Sequence, residues 1–193
     1  RSCEATVTTV NERGGIVLDR TVFYPTGGGQ PGDCGVLRLG DGGEIEIATT
    51  VKGEAPGEIV HVPAEGQSLP GAGTTVTAEI DWERRHRLMR IHTCLHLLSA
   101  VLPYPVTGGQ IGDGKGRLDF DLPEMTMTKE EITERLNALV GEGHEVTPTW
   151  ISDDELTAQP DLVKTMAVKP PMGQGRVRLI EVAGCDLQPC GGT

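Results

Sequence analysis

Along the first 80 residues, apolar and polar positions alternate in short runs broken by glycine. Residues 5–10, 15–18, 44–47, 58–62 and 75–80 each read as strands, rich in Val, Ile and Thr. Gly14-Gly15, Gly27 to Gly29, Asp41-Gly42-Gly43 and Pro70-Gly71-Ala72-Gly73 supply the turns between them. Strands this short with tight turns predict a small antiparallel barrel or a sandwich. At Asp81 the period changes. The next twenty residues contain neither Gly nor Pro, and Leu88, Ile91, Leu95 and Leu98 recur at spacings of three and four, which predicts a helix with one apolar stripe. Asp81 is its expected N-cap and Pro103 its stop. A second helix is expected over 128–140, burying Ile132, Leu136 and Leu139 and ending at Gly141, with strands returning at 145–149 and 175–182.

Composition sharpens this picture at a few points. Only 3% of residues are aromatic while Gly and Pro number 27 and 13, so Val, Leu and Ile must form the core of a strand-rich fold. No run of about 18 apolar residues occurs, and no secretory signal is visible, which makes the cytoplasm the expected setting and excludes a membrane partner. Starting without Met and ending Cys190-Gly191-Gly192-Thr193, the sequence reads as part of a longer polypeptide. The five cysteines are dispersed and odd in number, which favours free thiols or metal ligation over disulfides. A net charge of -11 argues against indiscriminate binding to polyphosphate. A nucleic-acid substrate then requires a local basic patch. Arg84, Arg85, Arg87 and Arg90 form the densest candidate, and Lys164, Lys169, Arg176 and Arg178 a second; either can equally be a solvated face.

His92 and His96 stand one helical turn apart, so both imidazoles can point at one tetrahedral metal ion. Such a pair alone is a weak signal and is more readily structural than ligating. Cys190 precedes Gly191-Gly192, a turn that can bring backbone close and aim a thiolate inward, although taken singly an ordinary buried thiol is the simpler reading.

Together, His92-xxx-His96 and the distant Cys190-Gly191-Gly192-Thr193 resemble the HxxxH and CGGTH signature of alanyl-tRNA synthetase editing domains and their freestanding relatives of the AlaX type. The segment 18–33, with Phe23-Tyr24 and Gly27-Gly28-Gly29-Gln30-Pro31-Gly32-Asp33, is similar to the family's FYxxxGGQxGD motif, and 110–120 occupies the place of a second strand-rich motif. The resemblance implies an α+β fold: a small antiparallel barrel-like domain over 1–80, then an editing domain over 81–193 with helices packed on an antiparallel sheet. It implies zinc on His92, His96 and Cys190, with the fourth ligand at the position following Thr193. It further implies the medium-length freestanding class, whose activity is hydrolysis in trans of Ser, and often Gly, from alanine tRNA. No ATP-binding activation site is visible in the sequence.

Ester hydrolysis needs an activated water and stabilisation of a developing oxyanion, and a zinc with an open position can serve either purpose. Asp186 stands near Cys190 in sequence as a candidate base or as an orienting partner of a ligand, against the simpler reading of a surface acid. To spare alanyl-tRNA, the site has to demand a hydroxyl, because size exclusion cannot reject the smaller amino acid. Thr26 and Gln30 offer the polar groups, and Gly27, Gly28 and Gly29 open the main chain to a ligand; the alternative for this segment is a plain surface turn. Arg84, Arg85, Arg87, Arg90, Lys115 and Arg117 are the expected contacts to the tRNA acceptor end. Competing readings are a non-catalytic zinc-bound module, a hydrolase of small esters, and a piece of a full alanyl-tRNA synthetase.

Overall fold

The computed structural model describes residues 1–166, 172–173 and 175–193. Lys169 lies outside the described residues. The chain divides into two compact units, Arg1–Leu88 and Met89–Thr193.

The first unit is a closed barrel built from β1 (Ser2–Val10), β2 (Ile16–Leu18), β3 (Gly35–Leu39), β4 (Glu44–Lys52), β5 (Ile59–Pro63) and β6 (Thr75–Ile80), paired in the order β1-β2-β5-β4-β3-β6 and back to β1. Closure leaves no unpaired edge. Alternate residues point inward and form the core, among them Val7, Ile16, Leu37, Ile45, Ile47, Val76 and Ala78. Strand β3 did not stand out in the sequence pattern: Gly35-Val36-Leu37-Arg38-Leu39 is short and flanked by glycines, and its pairing with both β4 and β6 supplies what local propensity lacks. Strand β4 runs past 47 to Lys52, with an irregularity between Ile47 and Thr49.

Helix α1 (Trp82–Val101) begins as predicted, with Asp81 Oδ1 accepting a hydrogen bond from the Arg84 amide at 3.0 Å. Its buried surface is broader than the predicted stripe. Leu88 and Leu95 are buried, Ile91 and Leu98 only half-buried, and Leu97, Ser99 and Val101 are buried as well.

In the second unit, a hairpin of β7 (Val106–Gly112) and β8 (Lys115–Phe120) packs on α1. A Cβ at Gly116 would stand 2.8 Å from Ile91 Cγ2, so glycine permits this close approach. Helix α2 (Lys129–Glu142) opens with a capping box between Thr128 and Glu131. Two expectations for it change. Gly141 stays helical and the helix ends at Gly143, whose φ of 68° is the left-handed conformation glycine adopts without strain; Ile132, Leu136 and Leu139 are half-buried rather than buried. Strands β9 (Val146–Ile151), β10 (Val177–Val182) and β11 (Asp186–Pro189) form an antiparallel sheet in the order β11-β10-β9, with the short helix α3 (Asp153–Ala158) following β9. The predicted α+β architecture is present: a barrel, then helices with antiparallel sheets. No helix among the described residues is long and apolar enough to cross a membrane.

Candidate metal centre

Two local periods build the centre. In α1 the i, i+4 spacing stacks His92 and His96 on one face, with ring centroids 5.0 Å apart. In β11 and the residue after it, the period of two puts Asp186, Gln188 and Cys190 on one side of the strand. The two faces meet within the second unit. His92, His96 and Cys190 each offer a ligand atom, and these atoms lie within 4.8 Å of one another.

Neighbouring residues fix how the ligands are presented. Asp186 Oδ2 lies 2.7 Å and the Gln188 amide nitrogen 2.9 Å from His96 Nδ1; because the carboxylate can only accept, it holds a proton on Nδ1, and Nε2 is left for a metal. Asp186 is itself held. The Gln188 amide donates to Oδ2 at 2.7 Å and to Ser99 Oγ at 3.2 Å, while Lys164 Nζ bonds Oδ1. Burial pushes the Asp186 carboxyl upward, but hydrogen bonds from His96, Lys164 and Gln188 outweigh it and hold the group below its ordinary range. The surface-acid reading of Asp186 is therefore corrected: the residue is 5% exposed, and both oxygens are bonded.

Cys190 Sγ lies 3.4 Å from His92 Nε2. Burial alone would raise this thiol, yet the bonds and charges of His92 and His96 bring it down to about 5. His96 moves the opposite way, to about 9, because Asp186 and Cys190 more than offset its burial. The turn at Cys190 is fixed from the neighbouring strand, where Arg178 Nη1 donates to the carbonyls of Cys190 and Gly192, each at 2.8 Å.

This donor set fits zinc. Two imidazoles and a thiolate are its preferred ligands, and tetrahedral coordination at ordinary bond lengths separates nitrogen and sulfur ligands by about 3.3–3.8 Å, which matches the Sγ to Nε2 distance of 3.4 Å. His92 Nδ1 is buried without a hydrogen-bond partner in this arrangement.

The other sequence candidates belong to different surroundings. Within the barrel unit, Thr26 Oγ1 donates to Thr50 O at 3.2 Å and accepts from the Gly32 amide at 2.9 Å. Gly27 and Gln30 form a backbone bridge, Gly28 and Gly29 have φ of 58° and 79°, and Gln30 is 2% exposed. Arg84 and Arg85 turn inward. Arg84 donates to Gly32 O at 2.9 Å, and Arg85 Nε donates to Asp33 Oδ1 at 2.9 Å. Arg87, Arg90, Lys115 and Arg117 are exposed, the last paired with Asp119 at 3.1 Å. Sequence reading missed Gln188 and Ser99 and placed Lys164 and Arg178 only in a basic patch. The signal for Gln188 was present in the alternation of positions 186, 188 and 190.

Comparison with known proteins identifies the family. A family model described as tRNA synthetases class II (A) matches residues 2–84. The alanyl-tRNA editing protein AlaX-M of Methanosarcina acetivorans is 37% identical over all of this chain and 82% of its own length. AlaX-M of Pyrococcus horikoshii is 37% identical over 92% of this chain and 72% of its own. An alanine–tRNA ligase of Metallosphaera sedula is 35% identical over 92% of this chain, a stretch that makes up 20% of the ligase. Identity of 37% over all of this chain and 82% of the Methanosarcina acetivorans protein means that the chain belongs to the family of alanyl-tRNA editing proteins of the AlaX-M type.

Proposed function

We propose that this protein is an aminoacyl-tRNA deacylase acting in trans, which hydrolyses the ester linking serine or glycine to alanine tRNA. The observation that carries the reading is the convergence of His92, His96 and Cys190 with Asp186 behind His96, in a chain whose relatives are named as alanyl-tRNA editing proteins.

Zinc on these three ligands would supply Lewis acidity or an activated water for attack on the ester. The chain's own residues prepare that site. Asp186 holds the His96 Nδ1 proton and so directs Nε2 to the ligand position. Cys190 offers its sulfur beside both imidazoles, 3.4 Å from His92 Nε2. Arg178 holds the carbonyls on either side of Gly191, which sets the direction of the Cys190 side chain. Asp186, with both oxygens bonded, acts as an orienting group.

Recognition of the amino acid is assigned to Thr26, Gly27, Gly28, Gly29 and Gln30. Gln30 is buried and polar, and a site lined by polar side chains favours a hydroxyl-bearing amino acid over alanine. Contacts to the acceptor end are assigned to the exposed Arg87, Arg90, Lys115 and Arg117. The test is deacylation of Ser-, Gly- and Ala-charged alanine tRNA by purified protein, with and without a chelator. Hydrolysis of the first two, sparing of the third and loss on chelation support the reading. Indifference to the chelator would remove zinc from it, and no turnover of any charged tRNA would remove the activity.

A further inference from the structure

The sheet that carries Cys190 also carries an exposed indole on the same face. In the β9–β10 register Trp150 pairs with Arg178, and on the other side of β10 the Cys190 amide donates to Arg178 O at 3.1 Å, continuing the register in which Leu179 faces Pro189. Residues directly opposite in an antiparallel sheet share a face, so Trp150, Arg178 and Cys190 form one row across three strands. Two interstrand steps of about 5 Å put Trp150 roughly 10 Å from the metal ligand, backbone to backbone.

Trp150 is 52% exposed, a costly position for the largest apolar side chain. The Arg176 guanidinium carbon stands 4.7 Å from the ring centroid, over its face. Strand β9 is an edge of its sheet, and Pro148 in its middle has no N–H to offer an added strand, which argues against pairing with another β-edge as the purpose of this surface.

We propose that Trp150, backed by Arg176, stacks the unpaired terminal base of the tRNA acceptor end. The inference rests on the deacylase reading above. The scissile ester sits on the terminal ribose, so a substrate whose carbonyl is at the metal centre has its base about one nucleoside length away, comparable with the backbone separation of roughly 10 Å between Cys190 and Trp150. Single-stranded ends are held by stacking on aromatic rings and guanidinium planes together with cationic contacts to phosphate. Arg176 provides the plane and the charge on the indole, and both residues stand apart from the metal ligands.

The test compares wild-type protein with Trp150→Ala and Trp150→Phe on seryl-tRNA carrying either the normal terminal adenosine or an abasic ribose at that position. Loss of one base stack lowers kcat/KM by about 10- to 100-fold. Removing the base should therefore cost the wild type that factor and the alanine variant little, while Trp150→Phe keeps most of the effect. Equal losses from base removal in both proteins, or an alanine variant as active as wild type on the normal substrate, would overturn the proposal. So would a change in sedimentation of Trp150→Ala with deacylation intact, since the patch would then join copies of the chain. Binding of an uncharged acceptor-stem RNA ending in 2-aminopurine separates this inference from the catalytic one. Quenching by wild type and not by Trp150→Ala supports stacking even without turnover, and equal quenching overturns it.

Discussion

His96 Nδ1 and Asp186 Oδ2 stand 2.7 Å apart across ninety residues of sequence, with the carboxylate buried and its other oxygen bonded by Lys164. The contact decides which imidazole nitrogen is free, because a proton kept on Nδ1 leaves the lone pair on Nε2. It also makes His96 a stronger donor to a cation. Substitution of such an orienting carboxylate typically weakens metal binding 10- to 100-fold.

Asp186→Asn should accordingly lower zinc affinity by about 10- to 100-fold, measured by competition with a chromophoric chelator, with deacylation falling in parallel at limiting zinc and recovering at saturating zinc. The amide keeps the shape of the carboxylate, so circular dichroism should be unchanged. Unaltered zinc affinity would show that Asp186 does not govern the ligand.

Zinc should stabilise the fold through the same three residues. Ligand at one hundred times its dissociation constant adds about 2.7 kcal/mol to the bound state. The melting temperature of wild type should therefore rise with zinc, while Cys190→Ser and His92→Ala should show little shift. Equal rises in all three proteins would mean that the ion binds elsewhere.

The barrel has its own polar anchor in the Arg85–Asp33 ion pair, whose side chains are 13% and 2% exposed. Asp33 also accepts from the Tyr24 amide at 2.7 Å, so one carboxylate holds both the start of the Gly-rich segment and the first turns of α1. Asp33→Ala leaves a mostly buried guanidinium unpaired and should cost about 3–5 kcal/mol. Urea denaturation measures this. A loss below about 1 kcal/mol would place the pair with ordinary surface bridges.

Much of this arrangement was legible in the sequence where a regular period carried it. The i, i+4 histidines and the alternating strands 5–10 and 75–80 follow from local geometry. The roles of Arg84 and Arg85 do not: a run of arginines reads as a basic face, and only the fold brings the Gly32 carbonyl and the Asp33 carboxylate to them. Strand β3 was hidden for a similar reason, since its stability comes from two neighbours remote in sequence. Asp186 read as a surface acid because one residue type in a short strand does not reveal which face is covered.

His61 gives the barrel a pH dependence independent of the metal centre. It is fully buried in β5, with Nδ1 3.0 Å from Ile16 O and Nε2 2.8 Å from Thr21 Oγ1, so the ring is satisfied as a neutral tautomer that donates to the carbonyl and accepts from the hydroxyl. Burial pushes its pKa below the ordinary 6.5, with the Ile16 bond opposing weakly. Between that folded value and 6.5 the unfolded chain holds a proton that the folded chain does not, so stability rises with pH across this window and levels off above it. On acidification the contribution of His61 is lost as pH falls through the folded value. His61→Gln should be less stable than wild type at pH 8, yet its melting temperature should vary less between pH 5 and about 6.5. A variant whose pH profile parallels wild type in that range would assign the acid sensitivity to other groups.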